Sequence, residues 1–282
     1  MKQKQIIKLI LIIVLITPLL LSANKVDSFK ILFFKTDDKQ LQTKYGMELM
    51  KLTYRKNIDT GIAWGEAARI YAKALDDTSK FARVSLSLGN LYKMNKDYSK
   101  ALFHFLIAQK TYKQLNDHHN YALCSRSLAV LYYQLEDYIN SQIHYHKALD
   151  GFSENNDEYE KAGILCNIGI IQMITKDFQS AKQNFNNSIR IYTKLNKTVK
   201  NAKILLNLGY VYMEEDSLDK ALEIQLRAFK YLDKEKEIDT YADLLNNIGI
   251  IHFKNKSHSQ AKEFLSRSLS IGENIDMISS RS

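Results

Sequence analysis

Residues 82–108 read ARVSLSLGNLYKMNKDYSKALFHFLIA, and this stretch decides the fold because its small and aromatic positions return every 40 residues. Leu88-Gly89 recurs as Leu128-Ala129, Ile168-Gly169, Leu208-Gly209 and Ile248-Gly249. Ahead of the pair, Ala82 recurs as Ala122, Ala162, Ala202 and Ala242. Beyond it, Ala101 returns as Ser141, Ala181, Ala221 and Ala261; Phe105 as Tyr145, Phe185, Gln225 and Leu265; and Ala108 as Ala148, Ser188, Ala228 and Ser268. Self-similarity at a fixed period of this size means stacked supersecondary units and not one globular core. Within the stretch, Leu88 and Tyr92, then Tyr98, Leu102, Phe105 and Tyr112, follow one another at intervals of three, four or seven, which is helical spacing.

Working outward, the columns divide the chain into six units, 41–80, 81–120, 121–160, 161–200, 201–240 and 241–280. Each reads as a helix, a short polar loop and a second helix. Asp97, Asp137, Asp177, Ser217 and Ser257 share one column just before an apolar helical pattern, where their side chains can accept from free N–H groups as N-caps. The only proline is Pro18, so no helix after it is broken by one. The small columns let helices approach, and Gly209 is expected to face Ala221 across its helix pair. A single unit leaves one apolar face open, and stacking closes it. The first unit is degenerate but in phase, with Gly61, Gly65 and Ala68 on the columns of Ala101, Phe105 and Ala108, and Leu49 in place of the usual Gly. Residues 24–40, with Ile31-Leu32-Phe33-Phe34, are expected to cap that end. The expected fold class is all-α, a right-handed α-solenoid of helix-turn-helix repeats.

At the start, Lys2, Lys4 and Lys8 precede the apolar run Leu9 to Leu21, then Ser22-Ala23-Asn24. A basic region, an apolar stretch and a small residue at the cut describe a signal peptide over 1–23. The run is shorter than the roughly 20 apolar residues that span a bilayer. Export to the periplasm or cell envelope with cleavage after Ala23 is therefore expected, with an uncleaved anchor as the alternative and the sole expected membrane contact. Cys124 and Cys166 lie on adjacent first helices; a bridge between repeats is weighed against two separate small side chains, and the second reading is preferred.

The formal charge is +9, and acids are mixed with bases throughout, as in Asp233-Lys234-Glu235-Lys236-Glu237. No basic stripe marks a nucleic-acid binder. No glycine-rich phosphate loop follows a strand, and no nucleophile stands with a base. His118-His119 in a connection, and His144 with His146, are read as solvated and not as metal ligands. No cofactor, no metal and no enzymatic activity are expected.

The columns resemble the tetratricopeptide repeat (TPR) family, in which Leu-Gly and Tyr are followed by Ala, Phe and Ala. Here these stand as Leu88-Gly89-Tyr92 with Ala101-Phe105-Ala108, and as Leu208-Gly209-Tyr212 with Ala221 and Ala228. The sequence departs from the family in its 40-residue unit, its lack of a Trp column and its lack of a terminal Pro. It is most similar to the long-repeat branch seen in kinesin light chains and bacterial regulators. The resemblance implies a concave groove lined by first helices. Carried across, its groove columns give Arg83, Leu86, Asn90, Lys93 and Met94, then Arg126, Val130 and Tyr133. Further along they give Ile170 and Met173, Tyr210 and Met213, and Asn246 and Phe253. An apolar, aromatic floor with cations toward its amino-terminal half suits a protein or peptide ligand with acidic character. The resemblance also implies a second role, the sensory part of a signalling protein of histidine kinase or DNA-binding type. Phe264 and Leu265 on the last repeat offer a face for self-association.

Overall fold

A computed structural model describes residues 25–75, 77–232 and 236–279 of the chain. The expected signal peptide lies outside the described residues. Two compact units are present, the first ending at Asp137 and the second beginning at Tyr138. Among the described residues every regular element is a helix.

Unit 1 holds α1 (25–35), α2 (Lys39–Thr53), α3 (Ile58–Lys73), α4 (Thr78–Met94), α5 (Tyr98–Gln114) and α6 (His118–Gln134). Unit 2 holds α7 (Tyr138–Glu154), α8 (Glu158–Ile174), α9 (Phe178–Lys194), α10 (Val199–Glu214) and α11 (Leu218–Ala228), the last closed by a tight turn over Phe229–Tyr231. It ends with α12 (Ile238–Lys254) and α13 (His258–Ser279). Inside unit 1 each helix from α2 packs on the next, and α4 also touches α6. Inside unit 2 the same holds from α7, with α10 also touching α8 and α12. Stacked hairpins of this kind make the chain an α-solenoid.

The joints explain the regularity. Lys96, Asn116, Glu136, Asn156, Lys176, Asn196, Asp216 and Lys256 all have positive φ, between 53° and 63°. After α4, the Asp97 N–H donates to the Tyr92 carbonyl at 2.9 Å and the Lys96 N–H to the Lys93 carbonyl at 3.1 Å. Those two bonds form a Schellman ending around a left-handed residue, with Lys96 where glycine is more usual. The next residue begins the following helix, the Asp97 carboxylate accepting from the Lys100 N–H at 3.1 Å. Asp117, Asp157 and Asp177 repeat that cap at 3.0, 3.1 and 3.2 Å. From α4 to α11, and again between α12 and α13, connections within and between hairpins are thus the same joint, and there the backbone repeats at half the sequence period.

The glycine column is set by close approach. A Cβ on Gly89 would lie 2.5 Å from the Phe105 ring, and one on Gly169 2.8 Å from the Phe185 ring. Gly209 does not face Ala221 as expected; its nearest neighbour is Gln225, 2.5 Å from an ideal Cβ. The reason is that each glycine packs on the bulky column four residues beyond the small one, which Phe105, Phe185, Gln225 and Leu265 occupy. Gln225 is fully buried; its amide donates to the Leu206 carbonyl at 3.2 Å, while its own Oε1 has no partner. In the first hairpin the sizes are reversed, with Leu49 buried on the glycine column and Gly65 lying under Leu88 and Met50. Helix α1 is held by Phe33, 5% exposed, whose ring stands edge-on to Trp64 at 5.2 Å and to Tyr71 at 5.6 Å.

Candidate ligand-binding face

In unit 1 the residues expected to line a groove stand on the first helices α4 and α6, and α2 is the first helix that precedes them. Arg83 on α4 is exposed, its guanidinium 3.8 Å from the Met47 Sδ on α2. Between these two helices lies a cleft of about 560 Å³ whose lining includes Lys44, Met47, Lys51, Lys80, Arg83 and Ser87. Its cations are not equally neutralised. Lys51 pairs with Glu48 at 2.8 Å, and Lys80 with Asp77 at 2.7 Å. Lys44 and Arg83 make no ion pair with any described residue. Arg83 is felt at Asp77 through space: that carboxyl is held below the usual range first by its hydrogen bonds to Lys80, with Arg83 a smaller influence. The cleft therefore keeps uncompensated positive charge over a methionine floor.

Nearly three turns beyond Arg83 on α4, Lys93 is half-buried, and its ammonium is held below the usual lysine value first by that burial and then by Arg126 on α6. The two helices bring these like charges within reach of each other. Asn90, Arg126, Val130 and Tyr133 are half-buried and Met94 is exposed. Leu86 packs partly into the core of unit 1.

In unit 2 the expected residues separate into surface and core. Tyr210 is 38% and Phe253 60% exposed, and Asn246 is exposed. Burial, then Glu214, raises the Tyr210 phenol above its usual value. Ile170 and Met173 are half-buried against the core. Met213 is buried at 4% beside Ala221 and Ile251, so it packs the core and presents no groove surface. The volume left by Ala221 accounts for that, because a flexible thioether fills irregular gaps well.

Lys44, Met47 and Lys80 lie outside the groove columns that the sequence offers. The first hairpin lacks the usual glycine, so the column pattern gives a groove only from residue 81 onward. Counting back 40 residues from Arg83 leads to Thr43, next to Lys44, and that was the available signal. Elsewhere, Cys124 and Cys166 are free thiols, both pushed up to about 12 by burial, with Asp117 adding to it for Cys124.

Charge is divided unevenly between the units. Residues 25–137 carry 18 Lys and Arg against 12 Asp and Glu, whereas residues 138–282 carry 19 of each. Apart from residues 1–24, the excess positive charge belongs to unit 1.

The profile of the family described as soluble NSF attachment protein, SNAP, matches residues 35–188, and a tetratricopeptide repeat profile matches residues 202–231. No curated protein sequence matches. Among solved structures, BtubC (BKLC) of P. vanneervenii superposes with a TM-score of 0.68 at 19% identity, covering 78% of this chain and 92% of its own. The signal transduction ATPase with numerous domains from Pyrococcus horikoshii, which carries a tetratricopeptide repeat sensor, gives 0.74 at 13% identity, over 84% of this chain and 38% of its own. A Rap protein complexed with competence and sporulation factor gives 0.60 at 14% identity, over 90% and 80%. At these identities the likeness establishes the fold.

Proposed function

Because this chain belongs to the soluble NSF attachment protein family and is built of tetratricopeptide-like hairpins, we propose that it is a non-catalytic scaffold holding an acidic segment of another protein on the first-helix face of unit 1. Its leader would deliver it to the cell envelope. The observation that carries the reading is the α2–α4 cleft, where Lys44 and Arg83 lack ion-pair partners among the described residues and stand beside the largely buried Met47. Lys93 and Arg126 extend the positive face onto α6. A groove with cations over apolar ground suits an extended segment that alternates carboxylates with apolar side chains. The Rap protein in complex with its signalling factor supports a binding role for this architecture.

The test is binding of a labelled peptide of alternating Glu and Leu, followed by fluorescence anisotropy. The double variant Lys44→Glu, Arg83→Glu should weaken binding about tenfold or more, since reversed charges face the ligand. Lys176→Glu, on an exposed joint of unit 2, should leave it unchanged. Equal affinity in all three proteins would remove unit 1 as the binding face.

The Pyrococcus protein favours a second reading, in which the repeats are the sensor of a signalling protein and the effector is a separate domain. An in-frame kinase or DNA-binding domain in the same gene would move the assignment there.

A further inference from the structure

We propose that the seam between hairpins α2–α3 and α4–α5 in unit 1 is an acid-released catch, closed by Glu66 while the His104 ring is neutral and loosened when that ring takes a second proton. Three helices meet at this one carboxylate. Glu66 on α3 accepts from the Arg69 side chain of its own helix at 2.8 Å. Its other oxygen accepts from the Tyr92 hydroxyl of α4 at 3.1 Å and lies 3.2 Å from the His104 Nε2 of α5. His104 is 3% exposed and stacks on Tyr92 with ring centres 5.2 Å apart and planes 11° from parallel. The neutral ring can donate from Nε2 to Glu66. Its Nδ1 is buried and has no hydrogen-bond partner. A proton on that nitrogen would be a buried donor with nothing to accept it, an arrangement that costs far more than a lone pair left against apolar atoms.

The groups facing the ring are Glu66 and Arg69 from α3, Tyr92 from α4, and Lys100 and Phe103 from α5 itself. Glu66 favours the extra proton. Arg69 and Lys100 oppose it, and burial opposes it most, so the ring sits below the usual histidine value. An opened seam would take up that proton near the ordinary value of about 6.5, and the closed seam only at lower pH. The seam is then fully closed above about 6.5 and weakens as pH falls through the interval between the two values. The α2–α4 cleft is lined from both sides of this seam, by Lys44 and Met47 on one and Arg83 and Ser87 on the other. Acid control of ligand binding therefore rests on the function proposed above, whereas the catch itself does not.

The only tryptophan of the chain, Trp64, lies on α3 with its ring against Phe33 and Phe34 of α1, so it reports on the α2–α3 hairpin, which loses its packed neighbour when the seam opens. Urea unfolding of the full chain would be followed by Trp64 emission and by far-UV circular dichroism at about pH 7.5 and about pH 5.5, on either side of the ordinary histidine value. At the higher pH the two probes should coincide. At the lower pH the Trp64 transition should come first, the opening constant having risen by up to about tenfold per pH unit crossed. His104→Gln keeps an amide donor for Glu66 and does not titrate in this range, so its Trp64 transition should stay put; His258→Gln, at an exposed position of unit 2, should behave as the natural chain. Coincident probes at the lower pH in the natural chain would overturn the catch whether or not the variants fold. Full acid sensitivity in His104→Gln would overturn it too. Failure of the Glu–Leu peptide to bind at either pH would remove the ligand reading alone, because Trp64 still decides the seam.

Discussion

At Gly89 a methyl group would come within 2.5 Å of the Phe105 ring, whereas at Gly272 on α13 nothing lies within 4 Å. The same substitution should therefore have opposite signs at the two sites. Gly89→Ala forces an aromatic ring or a helix to shift and should cost about 1–3 kcal/mol. Gly272→Ala removes backbone freedom from the unfolded chain without a clash and should add about 0.5–1 kcal/mol. Urea unfolding midpoints of the two variants check this, and a loss at Gly272 equal to that at Gly89 would show that packing is not the cause. The glycine column was legible in the sequence, but the neighbour it packs on was not. Periodicity identifies which positions are equivalent; it does not say which columns oppose one another, so Gly209 was matched to Ala221 although Gln225 fills that place.

At the scale of the helix, α10 tests the joint, starting like α11 and α12 without a side-chain cap. Lys197 stands where Asp97, Asp117, Asp157 and Asp177 cap their helices, and α10 starts late, after Thr198 in a helical conformation with no side-chain cap. Lys197→Asp should supply the missing acceptor and stabilise unit 2 by about 1 kcal/mol. Lys197→Ala separates the cap from the mere removal of a positive charge at a helix start; equal gains in both would refute the capping argument. The Asp97 and Asp177 caps of the inner loops could be read because an acid precedes an apolar helical run, whereas Ser217, expected to cap in the same way, makes no side-chain cap at the start of α11. The outer connections hid the same geometry, since Asn116, Asn156 and Asn196 among polar residues look like any surface loop.

For the whole chain, the division of charge between the units gives a prediction about encounter. Attraction of an acidic ligand to unit 1 should weaken as salt rises from about 0.01 M to about 0.1 M, where the screening length shrinks from about 30 Å to about 10 Å. Stopped-flow association with the Glu–Leu peptide should slow about tenfold or more over that interval; an unchanged rate would mean that long-range charge plays no part. The fold was readable because one column pattern repeats five times in phase. The site was only half readable: exposed Arg83, Tyr210 and Phe253 followed from their columns, but the depth of Met213 depends on the small Ala221 beside it, and the cleft depends on a first hairpin whose columns have drifted. The joint shared from α4 to α11 has a consequence for how such a chain can change in length. Copying or deleting 40 consecutive residues between two of these turns rejoins compatible ends, so the array can grow or shrink there without inventing a connector. Copying only 20 would also rejoin cleanly, yet every helix downstream would then exchange its inward role for an outward one.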